Sequence, residues 1–203
     1  TLLQRCGFRS SGLFVMDGSR RSNHGNAYFT GFGKTKRIVF FDTLLSRLNP
    51  NEIEAVLAHE LGHFKHNHVI KRIIFSFAMS LIFLWSLGYL MQQPWFYEGL
   101  GVSASSVPST ALALLLFFLV MPVFTFLFHP LSSLYSRKHE FEADAYAAQN
   151  ASAEDLIRAL VKLYQDNAAT LTPDPLHSAF YDSHPPAAIR QTLSGLPSRH
   201  DRL

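Results

Sequence analysis

The sequence predicts a mainly α-helical chain with a small β-hairpin or sheet, in which a zincin-like catalytic fold is interrupted by a two-helix transmembrane hairpin. Three observations predict it. His59-Glu60-Leu61-Gly62-His63 spells HExxH within a run of helical spacing. Residues 73–91 and 110–128 are each about 19 residues long without a charge, close to the roughly 20 that cross a hydrocarbon core. Beyond the second run, Glu140-Phe141-Glu142-Ala143-Asp144 supplies an ExxxD pattern on another helix-friendly segment.

The elements follow in order. Residues 12–17 alternate loosely and read as a strand. Residues 26–32 (NAYFTGF) and 36–41 (KRIVFF), joined by a Gly33-Lys34-Thr35 turn, make a hairpin of aromatic and β-branched residues. An exposed sheet edge can take an extended peptide as an added strand, so the hairpin is a candidate peptide-binding edge; a hairpin that only packs on the next helix satisfies the same pattern. Residues 19–25, with Arg20 and Arg21, form a solvated loop. Asn49 is an N-cap, Pro50 suits the first helical position and Glu52 closes a capping box. Ile53, Val56, Leu57, Glu60 and Phe64 then recur at helical spacing.

Both apolar runs lack the polar face that a soluble core helix keeps, and Pro122 is the kind of break that membrane helices tolerate. Lys65, Lys71 and Arg72 precede the first run, Arg137 and Lys138 follow the second, and the connecting residues 92–109 hold Glu98 but no Lys or Arg. Positive-inside bias puts the HExxH and ExxxD ends on the cytoplasmic side and the connection outside. Trp95, Phe96 and Tyr97 read as an interfacial aromatic belt. Two crossings bring the chain back, so residues 1–68 and 131–203 form the two halves of one catalytic domain and 69–130 the inserted hairpin. In the second half, Ser152 and Asp155 open a helix whose apolar face is Leu156, Ile157, Leu160, Val161 and Tyr164. A Pro-rich segment, 171–176, precedes Ser183-His184-Pro185-Pro186, which leads into a short helix ending near Gly195.

On a helix, positions i and i+4 share a face, so His59 and His63 reach one metal ion. Glu60 lies one step round, placed to hold and deprotonate a metal-bound water. Zinc needs a third protein ligand and one open position. A third His in HExxHxxGxxH fails here, because His66 and Val69 occupy the Gly and His positions. The other solution is a Glu from a later helix, and Glu140 supplies it. Asp144, four residues on, shares that face and hydrogen-bonds the far nitrogen of a ligand His. Glu142 is the rival ligand, but it points about 200° away from Glu140 and reads as a solvated charge. His66 and His68 read as local structural residues. A His held rigidly before two prolines suits donation to a developing oxyanion, which makes His184 a candidate; a surface-loop His has equal standing.

Composition narrows the classes. The net charge of +3 is modest, and the positive residues sit at the membrane flanks without the aromatic interleaving of a nucleic-acid surface. Cys6 is the single cysteine, which excludes a disulfide framework and a thiolate metal site. The chain begins at Thr1 without a signal peptide and reads as a piece whose upstream part is missing. A membrane di-iron oxygenase would need further His-rich clusters or a second Glu-x-x-His, and Glu60 to His63 is the only one. An intact Glu60 argues against a non-catalytic scaffold.

The pieces NAYFTGF with KRIVFFDTLL, HELGHFKHNH, SRKHEFEADAYA and DPLHSAFYDSHPPAAIR, in this order, resemble the type I CAAX prenyl endopeptidase family, integral-membrane zinc metallopeptidases of gluzincin type. They cover nearly the whole chain. The resemblance implies one Zn2+ held by His59, His63 and Glu140, with Glu60 as general base and Asp144 behind a ligand. It implies that Asn26 and Ala27, with Tyr28 beside them, bind substrate backbone, and that His184 and Arg190 stand at the active site. It implies peptide or protein substrates, with a prenyl group in eukaryotic members, and lipid as the surrounding partner. The location implied is a bacterial inner membrane or, in a eukaryote, the endoplasmic reticulum. Heat-shock membrane proteases share HExxH and a later Glu and are the alternative; NAYFTGF and SHPP favour the CAAX-type branch. His139 stands where that family often has an aromatic residue.

Overall fold

The computed structural model describes residues 2–6, 9–20, 27–30, 35–103, 109–166, 174–182, 184–185 and 189–190. The chain divides into two compact units, Thr1–Asn67 with Ser133–Leu203, and His68–Ser132.

In the first unit, α1 (Leu2–Arg5) leads into β1 (Arg9–Met16), and β2 (Ala27–Thr30) and β3 (Thr35–Phe41) follow. The sheet order is β1-β3-β2. β2 and β3 pair antiparallel, from Ala27 opposite Phe40 to Thr30 opposite Arg37, as the hairpin pattern predicts. β1 adds to the other side of β3 in parallel, with an irregularity between Ser10 and Leu13. A parallel neighbour is a long-range pairing that no local turn signal announces. Alternation along β3 sends Ile38 and Phe40 into the core, where they meet Leu44, Leu48 and Ala159, with Ile53, Val56 and Leu57 beside them.

α2 (Asp42–Arg47) turns the chain into α3 (Pro50–Lys65). Asp42 opens α2 by accepting from the backbone N–H groups of Gly18, Ser19 and Thr43, which ties the end of β1 to the end of β3. α3 begins as the sequence predicts. Glu52 N–H donates to Asn49 Oδ1 at 2.9 Å and Asn49 N–H donates to Glu52 Oε2 at 2.8 Å, with Pro50 in the first turn. Besides Glu52 and His59, the residues that α3 buries are the small Ala55, Ala58 and Gly62, together with Leu61. The larger Ile53, Val56 and Leu57 are only half-buried, because α3 has neighbours on several sides and its closest approaches admit only small side chains. Asn67, in the left-handed conformation at φ 56°, ends the helix.

α6 (Thr110–Asn150) is a single helix of 41 residues, with Pro122 and Pro130 inside it. The second apolar run and the ExxxD segment, separate in the sequence reading, are parts of this one helix. Thr125 Oγ1 donates to the Met121 carbonyl at 3.1 Å, serving backbone next to Pro122. In the first unit, the last turns of α6 pack Ala147 with Ala55, Ala58 and Leu61 of α3 and with Leu156 of α7 (Ala153–Asp166). α7 also reaches α3 through Lys162, whose Nζ lies 2.7 Å from Glu52 Oε2. α8 (Pro175–Tyr181) is capped by Asp174 and held by α6, with Arg137 donating to the Ser178 carbonyl and Ser133 to the Phe180 carbonyl.

The second unit holds α4 (His68–Leu90), α5 (Pro94–Glu98) and the first part of α6. α4 and α6 are both long and apolar enough to cross a membrane. Phe77, Leu81, Trp85, Leu119, Val123 and Leu127 all stand exposed. Leaving each in water forgoes about 1.5–3 kcal/mol. Summed over these six, that rivals the 5–15 kcal/mol by which ordinary domains are stable, so this surface belongs against an apolar medium. The aromatic triplet departs from the belt reading. Trp95 is exposed, but Phe96 and Tyr97 are buried with Ala113, Leu116 and Phe117, flanked by Phe83 and Leu87. Tyr97 satisfies its hydroxyl on the Met91 carbonyl at 2.8 Å, so the short helix folds inward as a plug.

The Glu52 carboxylate is 1 % exposed, whereas its partner Lys162 is 41 % exposed. Lys162→Met is therefore expected to destabilise the protein by about 1–3 kcal/mol, by stranding a buried charge. Adding Glu52→Gln should recover most of that loss, since the amide still serves the Asn49 N–H. Thermal unfolding of the single and double variants in detergent checks this, and a double variant worse than Lys162→Met contradicts it.

Candidate metal centre

α3 presents His59 and His63 one turn apart, and the last part of α6 presents Glu140 and Asp144. The two Nε2 atoms are 3.2 Å apart. Glu140 Oε2 lies 3.6 Å from His59 Nε2, and Glu140 Oε1 lies 3.5 Å from His63 Nε2. Tetrahedral coordination with bonds of about 2.0–2.1 Å places neighbouring ligand atoms roughly 3.3 Å apart. The three groups already have that spacing, so two imidazoles and one carboxylate fit a zinc-sized ion. The surrounding charge agrees. Glu140 and Asp144 lie against the guanidinium of Arg190, Glu60 adds a third carboxylate close by, and three carboxylates against one fixed positive charge suit a divalent cation.

Close approach of α3 and α6 produces this spacing. A Cβ built on Gly62 would stand 2.9 Å from the Ala143 Cα, 3.0 Å from its carbonyl oxygen and 3.1 Å from the Tyr146 Cβ. Two of these are backbone atoms, which cannot swing aside. Glycine therefore lets the HExxH helix lie against the helix carrying Glu140, and Ala143 sits between Glu140 and Asp144 in sequence.

Behind the metal face, His59 Nδ1 stands 2.9 Å from Asp144 Oδ1. A proton on Nδ1 donated to that carboxylate leaves the Nε2 lone pair facing the metal position. Arg190, 6 % exposed, closes the far side of Asp144. Its Nε donates to Asp144 Oδ2 at 2.7 Å and its Nη2 donates to Oδ1. Burial pushes the Asp144 carboxyl up, but the His59 and Arg190 hydrogen bonds outweigh it and hold the group below the usual range. Burial likewise opposes ionisation of Glu140, and the nearby His184, His59 and His63 more than compensate. Glu60 differs. Burial is its largest influence and raises its pKa, Glu140 adds to that, and His59 offsets only part. Glu140 is thus kept anionic, while the proton affinity of Glu60 is raised.

His184 is 65 % exposed, yet its Nδ1 comes within 2.9 Å of Glu140 Oε2, at the open side of the centre. The structure thus brings His59, Glu60, His63, Glu140, Asp144, His184 and Arg190 into one cluster. Among the described residues, His59, His63 and Glu140 form a grouping with ligand atoms within 4.8 Å of one another. Glu142 lies apart, 3.9 Å from Lys138. His66 stands edge-on to the Tyr146 ring at 6.3 Å, and His68 is buried at the start of α4. Ala27 and Tyr28 lie on β2, which has β3 on one side and is an edge strand of the three-stranded sheet; Asn26 lies outside the described residues. Sequence reasoning missed the role of Gly62 as the contact point between the helices. A glycine inside a strong helix was the available signal.

An HExxH helix, a later helix bringing Glu140 and Asp144, and two membrane-length helices define the gluzincin class of metallopeptidase folds, in a membrane-inserted form. The model of peptidase family M48 matches residues 1–193, and the chain belongs to that family. It is 38 % identical over 205 residues to CAAX prenyl protease 1 of Saccharomyces cerevisiae, covering 95 % of this chain and 45 % of that protein. It is 42 % identical over 182 residues to the CAAX prenyl protease 1 homolog of Arabidopsis thaliana, covering 88 % and 42 %. The crystal structure of Ste24p from S. mikatae superposes with a TM-score of 0.83 at 37 % identity, covering 95 % of this chain and 48 % of that one. The chain spans less than half the length of these relatives.

Gly62→Ala should push α3 from α6, cost about 1–3 kcal/mol of stability and lower metal content. Asp144→Asn should keep the fold and weaken metal binding about 10–100-fold. Metal analysis after dialysis against graded chelator measures both; retention of metal at the native level in Gly62→Ala contradicts the spacing argument.

Proposed function

We propose that this chain carries the catalytic centre of an integral-membrane zinc metalloendopeptidase that cleaves CAAX-type carboxy-terminal peptides, with a prenyl group as part of the recognised substrate. The observation that carries the reading is the convergence of His59, His63 and Glu140 at metal-ligand spacing, with the half-buried Glu60 next to His59 in sequence. One Zn2+ held by His59, His63 and Glu140 would supply Lewis-acid polarisation of a carbonyl and lower the pKa of a water. Glu60 is placed to accept a proton from the attacking water and to return it to the leaving amine. His184, on the open side, donates to the developing oxyanion, a contribution of about 10²–10³-fold for donors of this kind. Asp144 and Arg190 hold the His59 ring in the required tautomer and orientation. Among the described residues β2 has a strand on one side only, and its other edge takes the substrate as an added strand, with Ala27 and Tyr28 on β2 and Asn26 next to them in sequence as the substrate-binding positions.

The two apolar helices support a bilayer location, a bacterial inner membrane or the endoplasmic reticulum, with lipid around α4 and α6. Lys65, Lys71, Arg72, Arg137 and Lys138 support a cytoplasmic catalytic side. The heat-shock membrane protease is not favoured, since relatives matching 88–95 % of the chain are named CAAX prenyl proteases. Two imidazoles and one carboxylate around a single point do not suit a di-iron oxygenase.

In the full-length protein, Glu60→Gln should retain one zinc per chain and lower peptide cleavage by at least about 10³-fold, with a farnesylated peptide cut faster than its unmodified twin in the wild type. Mass-spectrometric product analysis reads both. Cleavage by Glu60→Gln at the native rate sinks the mechanism, and equal rates on the two peptides sink the prenyl preference.

A further inference from the structure

Tyr164 belongs to the apolar face of α7 by spacing, but its hydroxyl does something that packing does not require. It donates to the Pro185 carbonyl at 3.2 Å. Pro185 directly follows His184, and its side chain is fully buried. Pro185 and Pro186 both lack an N–H, so for two residues the backbone has no donor with which to anchor itself. It must be tied down through carbonyls, and α7 offers a hydroxyl at the right place.

His184 needs such an anchor more than its neighbours do. With 65 % of the side chain exposed, packing does not settle where the ring points, yet Nδ1 reaches within 2.9 Å of Glu140 Oε2. An exposed imidazole samples several rotamers, and the backbone from which it springs decides which of them reach the centre. Burial is the main influence on the Tyr164 phenol and raises its pKa, with Arg190 opposing. The hydroxyl therefore stays a neutral donor.

We propose that Tyr164 is a positioning residue for the metal centre: by pinning the Pro185 carbonyl to α7, it fixes the backbone from which His184 reaches the site. The proposal rests on the peptidase reading of that site. α7 is itself locked to α3 through Leu156 and the Lys162–Glu52 pair, so the pin refers His184 to the same helix that carries His59 and His63.

Tyr164→Phe in the full-length protein keeps the ring and removes only the donor. It should lower kcat about 10-fold while KM, zinc content and the unfolding midpoint stay near the wild-type values. In a His184→Ala background, Tyr164→Phe should cause no further loss, because the group it positions is gone. A wild-type kcat in Tyr164→Phe overturns the proposal, as does a loss that multiplies in full onto that of His184→Ala. Glu60→Gln is run alongside: cleavage persisting in it removes the peptidase reading, whereas an inactive Glu60→Gln beside an unaffected Tyr164→Phe removes this proposal alone.

Discussion

The metal centre depends on one close contact. A tetrahedral site tolerates only a few tenths of an ångström in the separation of its ligands, and here two of the proposed ligands come from one helix and the third from a helix some eighty residues later. Only rigid packing of the two helices gives that tolerance. Gly62 against the Ala143 backbone sets how near α3 and α6 lie, and with it where Glu140 meets His59 and His63. Around that contact the core is built of small residues, Ala55, Ala58 and Ala147, with Leu61 and Leu156 filling the remaining space. The sheet and α7 brace α3 from its other sides, so the HExxH helix is held by packing around most of its circumference.

A second constraint is electrostatic. Gathering Glu60, Glu140 and Asp144 in a partly dry pocket is costly, and each carboxylate is handled differently. Asp144 is satisfied by Arg190 and His59 and serves as a fixed anionic support. Glu140 faces three imidazoles and stays ionised. Glu60 has the least compensation, and burial raises its proton affinity. Groups of one chemical type thus receive distinct roles from position alone, as proton-transfer sites require. Arg190 connects two of them, with Nη1 3.9 Å from Glu140 Oε2 as well as two bonds to Asp144.

The outward faces of α4 and of the first part of α6 suit an apolar medium. The inward-turned Phe96 and Tyr97 close the end of the helix pair, with the Phe83 and Phe117 rings 4.7 Å apart beneath them. The insertion is thus organised by its own core as well as by its apolar surface.

Local patterns were legible in the sequence because their causes are local. The capping box of Asn49 and Glu52, the antiparallel pairing of β2 with β3, the length of the apolar runs and the i, i+4 spacing of His59 and His63 all follow from neighbours within a few residues. The order of the motifs sufficed to show the family. What the sequence did not show depends on distant segments meeting. β1 joins β3 in parallel, α6 continues unbroken from an apolar run into the ExxxD segment, and Phe96 and Tyr97 turn inward although their composition suits an interface. Spacing names His59, His63 and Glu140; their approach to 3.2–3.6 Å comes from backbone packing at Gly62. Nor does any periodicity show that Tyr164 reaches Pro185, since a hydroxyl finds its acceptor only once two elements have been folded together. By itself, then, the sequence determined the main elements, though not the short helices α1, α2 and α8, and the chemistry available to them. The tertiary structure decided their distances, because ligand geometry is set by how closely helices pack, and that is a property of pairs of segments rather than of either one.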